Sequence, residues 1–347
     1  MMLKLSKDKI GELFQKIASD RTLYLPVDNN GQVNFGRWTP DAAVRLDQLK
    51  TVKSSKDFFF PQTENIVAFK RQGKDISIIE KRDANEPFVV FGVRGCDVRS
   101  LDILDRVFLC DPVDSFYKAR RENGTIVSFA CSEPEENCFC GVFGIDAADP
   151  LGDATIRVIG GDLYWDAKTD KGRALEESAG ALFTQATALD SDAIKEHDER
   201  SREISGRLPL KDLDLDSFEE SALLEKFNSP LWKELSQACV GCGTCTYVCP
   251  TCQCYDIQDF DTGHGIQRFR CWDSCMYSDF TLMAHGNNRK SQVERFRQRF
   301  MHKLIYYPAN NDGIFSCVGC GRCVAKCPIS MNIAKVIRAL GGVSVSV

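Results

Sequence analysis

Over the first 165 residues, apolar positions come in short runs closed by Gly, Pro, Asn or Asp. Thr22–Val27, Asn65–Lys70, Ile76–Glu80, Phe88–Val93 and Thr125–Ala130 have the length and β-branched content of strands. Thr155–Ile159 and Leu163–Trp165 read as a hairpin around Gly160-Gly161. Helical spacing appears in residues 1–20, where Ser6 suits an N-cap and Ile10, Leu13, Phe14 and Ile17 share a face. It returns in Asp97–Phe108 through Val98, Leu101, Leu104 and Phe108, and residues 171–227 are charged and mostly helical in pattern. The pattern predicts a mixed α/β domain over residues 1–225. Farther on, Asp279–Ile305 is expected to form one long helix that stops before Pro308.

Beyond residue 225 cysteine takes over the pattern. Cys239-Cys242-Cys245-Cys249-Pro250 and Cys317-Cys320-Cys323-Cys327-Pro328 share the spacing C-x2-C-x2-C-x3-C-P, by which a chain holds a [4Fe–4S] cubane. Three thiolates come from one tight loop and the fourth from the following turn. In paired runs the fourth Cys ligates the other cluster. The expected sets are therefore Cys239, Cys242, Cys245 and Cys327 for one cluster, and Cys317, Cys320, Cys323 and Cys249 for the second. Structural zinc is the competing reading, but it favours two separated C-x2-C pairs over eight cysteines in two equal runs. The expected class is α+β, with the N-terminal mixed α/β domain followed at 226–347 by a mainly helical, dicluster ferredoxin-like domain. Residues 250–316 form a long insert within it, which must carry structure of its own.

Cysteine also ends two predicted strands. Cys96 follows Phe88–Val93, and Cys131 opens Cys131-Ser132-Glu133-Pro134-Glu135-Glu136-Asn137-Cys138-Phe139-Cys140. If the two strands are neighbours, Cys96, Cys131, Cys138 and Cys140 converge at an edge rich in backbone N–H donors. A third cluster, [4Fe–4S], is expected there; buried free thiols or zinc are the alternatives. Of the other five cysteines, Cys110 reads as core. Cys252, Cys254, Cys271 and Cys275 form C-x-C and C-x3-C pairs that could bind a further metal or shield a neighbouring cluster.

Composition narrows the class. With 347 residues, 43% hydrophobic and 27% charged, the chain can bury real cores, and its net charge of −5 argues against a nucleic-acid surface. No apolar stretch reaches the roughly 20 residues of a membrane span. The start lacks the apolar core of an export signal, and Val343–Val347 is too short to anchor anything. Seventeen cysteines then point to a reducing cytoplasm. There is no GxGxxG after a strand and no GxxxxGK[ST]. His197, His264, His285 and His302 are scattered, and no set of residues suggests acid–base or nucleophilic catalysis. The basic run Arg289, Lys290, Arg295, Arg297, Arg299 and Lys303 reads as a solvated helix face, with docking of an acidic partner as the alternative. No catalytic residue is assigned, and no cofactor-binding residue beyond the cluster ligands.

Four segments then carry a resemblance: Phe58-Phe59-Phe60-Pro61-Gln62-Thr63-Glu64, Gly92–Arg99 around Cys96, Cys131-Ser132-Glu133-Pro134 with Cys138-Phe139-Cys140, and Cys249-Pro250-Thr251-Cys252-Gln253-Cys254-Tyr255. With them the chain resembles the iron–sulfur electron-transfer subunits of cytoplasmic multi-subunit oxidoreductases of anaerobic metabolism. The nearest in pattern are the iron–sulfur subunit of anaerobic sulfite reductase and the beta subunit of sulfhydrogenases. The resemblance implies a hetero-oligomer in which single electrons pass through [4Fe–4S] clusters. FAD and NAD(P) would sit on a partner subunit, and a terminal catalytic subunit or ferredoxin would accept or donate. The alternative is a flavin-binding oxidoreductase subunit with its own substrate site in the N-terminal domain.

Overall fold

The computed structural model describes residues 2–80, 86–263 and 265–342; His264 and the tail 343–347 lie outside the described residues. Its centre is an eight-stranded sheet built on β6 (Phe88–Arg94) and β7 (Gly124–Phe129), every residue of which is buried. These two strands pair in parallel, flanked in parallel by β2 (Thr22–Asn29) and β8 (Ala154–Ile159). Near-continuous apolar runs are what such doubly covered strands require. Antiparallel strands finish both edges. β3 (Gln32–Arg37) lies outside β2, while β9 (Asp162–Ala167), β1 (Leu3–Leu5) and the short β10 (Thr184–Gln185) follow β8.

One face of the sheet is covered by α1 (Ile10–Asp20), which buries Leu13, Phe14 and Ile17 against Leu23, Phe91 and Phe129. The other receives α2 (Gly95–Phe108) and α3 (Ser115–Asn123), whose Val98, Leu101, Leu104, Phe108 and Tyr117 pack on Val90 and Ile126. The helix expected over residues 1–20 is shorter than its apolar pattern suggested. Leu3–Leu5 is an edge strand paired with β9, and Ser6 makes no side-chain cap.

A second, antiparallel sheet joins distant parts of the chain. β4 (Thr63–Gln72) and β5 (Asp75–Glu80) pair with β12 (Ile266–Trp272) and β11 (Tyr255–Asp261) in the order β11-β12-β4-β5. The insert at 250–316 thus donates a hairpin to the N-terminal half. The rest of the insert corrects the long helix expected from Asp279. Residues 279–290 form a 3-10 turn and a small hairpin, with Gly286 and Asn287 in its second strand. The helix α4 (Gln292–Met301) starts only after Ser291, which forms a capping box with Glu294. A π turn, His302–Tyr306, continues it.

The mainly helical tail packs around Trp232, Phe296, Phe300, Leu304, Val336 and Ile337, and Leu210, Leu213 and Phe218 share that core. Among the described residues no helix is long and apolar enough to cross a membrane.

Candidate metal centres

Each tail motif is one loop running into one short helix. Gly243 and Gly321 take the left-handed conformation (φ 73° and 74°) directly before Thr244–Tyr247 and Arg322–Lys326. Cys245 and Cys323 lie on those helices, so the third thiol of each run is presented from a helical turn. Cys239, Cys242, Cys245 and Cys327 line one narrow-mouthed cavity with about 410 Å³ of empty space, its mouth included. Met276, Phe296, Phe300 and Met331 complete its wall. Cys242 is exposed and Val240 is 66% exposed, which puts this cavity against solvent. Cys317, Cys320, Cys323 and Cys249 form a deeper group. Burial raises the Cys317, Cys320 and Cys323 thiols, Cys317 to about 12, and each also feels Cys249.

The N-terminal cysteines converge as well. β6 and β7 are adjacent, with Arg94 opposite Phe129 at their carboxyl ends. Cys96 occupies the first turn of α2 and Cys131 follows β7. Cys96, Cys131, Cys138 and Cys140 line a single cavity with about 360 Å³ of empty space, its mouth included. Arg94 holds this end together by donating to Leu49 O (2.7 Å), Gln48 O (3.0 Å) and Ala130 O (2.9 Å). Lys50 closes the cavity from that loop, 3.3 Å from Cys138 Sγ and 3.2 Å from Cys320 O. Burial, then the Cys131 and Cys138 thiols, pushes Cys140 up to about 12.

This cavity touches the tail directly. Cys320 lines it, and Cys96 and Cys320 belong to one buried cluster with Ile103, Tyr307 and Val318. Phe139 N donates to Gly319 O at 2.9 Å. Gly319 (φ 58°) and Gly321 must be glycine for this approach, because a Cβ would come within 2.3 Å of Phe139 O and 2.2 Å of Asn137 O respectively. Asp97, beside Cys96, accepts both Nη groups of Arg322, 2.7 Å at the longer contact. Arg99 bonds Asp102, one turn after it, at 3.1 Å.

The remaining cysteines divide. Cys110 is exposed and donates to Val107 O, contrary to the core position expected for it. The Cys252 thiol lies beside that of Cys249 and the Cys254 thiol beside that of Cys275, while Cys271 stands apart on β12. The first pair sits beside three cations that the sequence reading missed. Arg299 Nη1 lies 3.4 Å from Cys252 Sγ, Lys56 Nζ donates to Cys252 O at 2.9 Å, and Lys303 Nζ donates to Thr251 Oγ1 at 2.8 Å. Two members of the supposed solvated run, Arg299 and Lys303, are therefore interior. An (i, i+4) pair one helical turn apart and beside Phe296, Phe300 and Leu304 was the available signal.

The donor set suits an iron–sulfur cluster. Its groups are all thiols, the donors that iron–sulfur cubanes take, and each set of four lines or adjoins one buried cavity. Arg299 Nε is buried without a partner on the wall of the Cys239 cavity, a donor awaiting a sulfur acceptor. The thiols must lose their protons to bind iron, and the cations beside them favour that loss.

The family profile of the 4Fe-4S dicluster domain matches residues 238–331, which implies two [4Fe–4S] clusters. The chain is 32% identical over 337 residues to sulfhydrogenase 2 subunit beta of Pyrococcus furiosus, covering 96% of this chain and 97% of that protein. No solved structure matches.

Proposed function

The chain belongs to the family of sulfhydrogenase beta subunits, and on that premise we propose that it is the electron-relay subunit of a cytoplasmic multi-subunit oxidoreductase. It links a flavin- and NAD(P)-binding partner subunit to a terminal catalytic subunit or ferredoxin. Cys239, Cys242, Cys245 and Cys327 hold one [4Fe–4S] cluster, Cys317, Cys320, Cys323 and Cys249 the second, and Cys96, Cys131, Cys138 and Cys140 a third. When bound, such clusters supply one-electron redox chemistry.

One observation carries the reading: the three thiol groups are contiguous. Cys320 belongs to the second group and lines the cavity of the third, while Cys245 of the first feels the Cys249 thiol of the second. The series runs from α2 inside the N-terminal sheet to Cys242 at the surface. The protein's own residues space the centres, exclude water with Met276, Phe296, Phe300 and Met331, and aim Lys50 and Arg299 at the sulfurs. The outer group, beside exposed Val240, is where an electron partner comes closest.

Anaerobically isolated protein should contain about eight to twelve iron atoms per chain and give paramagnetic signals on reduction with dithionite. Zinc in place of iron would overturn the reading. A flavin absorbance from the chain purified alone would replace it with a flavoprotein subunit.

A further inference from the structure

Charge is shared unevenly among the three thiol groups. Arg299 and Lys303 are 2% and 3% exposed, and among the described residues neither has a carboxylate partner. Arg299 uses Nη1 on Cys252 Sγ (3.4 Å) and Nη2 on Cys245 O (2.8 Å), and leaves Nε unpaired at the Cys239 cavity. Lys303 Nζ donates to Thr251 Oγ1 and Ser316 O, both at 2.8 Å, and Thr251 Oγ1 stands 3.2 Å from Cys249 Sγ. Its ammonium is thus wedged between Cys249 and the residue before Cys317. Burying an ion costs several kcal/mol unless opposite charge repays it. The opposite charge nearest to both cations is that of the tail thiolates.

The Cys96 cavity is arranged differently. Lys50 is paired with Glu135 at 2.9 Å and Arg322 with Asp97, so both are already neutralised. Arg94 is the one cation there without a carboxylate among the described residues; it stands beside the Cys131 thiol, and three carbonyl oxygens share its charge. Two uncompensated cations therefore face the tail groups, with Lys56 behind them over the Trp272 ring at 3.5 Å. One blunted cation faces the N-terminal group.

We propose that Arg299 and Lys303 set the redox order of the protein, raising the reduction potentials of the two tail centres above that of the Cys96 centre. A reduced centre carries one more negative charge, and a nearby buried cation stabilises it in proportion. Electrons in the protein therefore collect in the tail. The proposal rests on the three-centre reading above.

A redox titration followed by electron paramagnetic resonance tests it on the whole protein, with the Cys96→Ser variant assigning the N-terminal signal. The wild type should fill its tail centres at higher potential than the Cys96 centre. An absence of iron would sink the three-centre reading itself, whereas iron with the Cys96 centre reduced first would sink this proposal alone. Arg299→Gln and Lys303→Gln should each lower the reduced-to-oxidised ratio of a tail centre at fixed potential about tenfold or more, equivalent to about 59 mV for one electron. Arg299→Lys and Lys303→Arg, which keep the charge, should stay within about threefold. Unmoved midpoints in iron-replete neutral variants refute the role. Should those variants lose iron, Glu135→Gln decides, since the Glu135 side chain is half-exposed and its loss frees the charge of Lys50. The Cys96 midpoint should then rise while the tail midpoints hold, and no shift overturns the proposal.

Discussion

His302 shows how the interior treats a single titratable group. Burial, followed by the Lys303, Arg299 and Arg289 cations, lowers its pKa from 6.5 to about 4. The folded protein therefore keeps the imidazole neutral where the unfolded chain protonates it. The associated stability is complete above pH 6.5 and is lost as pH falls towards 4. A shift of this size corresponds to about 3 kcal/mol. A His302→Phe variant should unfold with a flatter pH dependence across that window, measured by urea titration at several pH values; an unchanged slope would contradict the assignment. Individual residues were unequally legible from sequence. Spacing alone gathered Cys239, Cys242, Cys245 and Cys327, because their separations belong to one loop and its partner. It could not separate Arg299 and Lys303 from Arg295 and Arg297, since a run of charges carries no mark of which members have sulfur beside them.

At the scale of elements, two cysteine loops make the tightest backbone approach between the halves that the second sheet also joins. The second cysteine loop lies on the Cys138-Phe139-Cys140 loop with no room for a side chain at Gly319 or Gly321. Gly321→Ala would incur the left-handed backbone cost and a clash with backbone, about 3 kcal/mol together. The first loop offers a control: at Gly243 the atoms nearest an added Cβ all belong to the Tyr277 side chain rather than to backbone. Gly243→Ala should cost about 1 kcal/mol. Urea midpoints and iron content should rank the two variants accordingly, with iron lost first from the Cys96 cavity in Gly321→Ala. Equal effects would mean that the loop contact is dispensable. Short apolar runs closed by turn residues were readable as strands, down to the Gly160-Gly161 hairpin. The helix from Asp279 was misread because Phe280 and Met283 sit one helical turn apart, although Gly286, Asn287 and the Ser291–Glu294 capping box mark a later start. Pairing of β4 with β12 was invisible, since no local pattern records a partner two hundred residues away.

For the whole molecule, those long-range pairings decide how it unfolds. A cut at residue 225 would sever the β4–β12 ladder and the buried fork of Arg322 on Asp97. It would also split a network in which Glu64 accepts from both Arg120 and Arg270 while Arg270 reaches Asp114. Leu210, Leu213 and Phe218 would be stripped from the tail core, and Tyr307 from Ile103 O. Each break strands a buried charge or an apolar face, and breaking a buried ion pair alone costs about 3–5 kcal/mol. The halves should accordingly behave as one cooperative unit. On heating the holoprotein, tryptophan emission, which reports Trp38 and Trp165 in the N-terminal half together with Trp232 and Trp272 farther on, should change in step with the loss of visible cluster absorbance. Residues 1–225 expressed without the tail should not reach the folded state. Two resolved transitions, or a folded N-terminal fragment, would show that the bridging sheet and ion pairs are accessories, and the redox order would then have to survive relative motion of the halves that hold the centres.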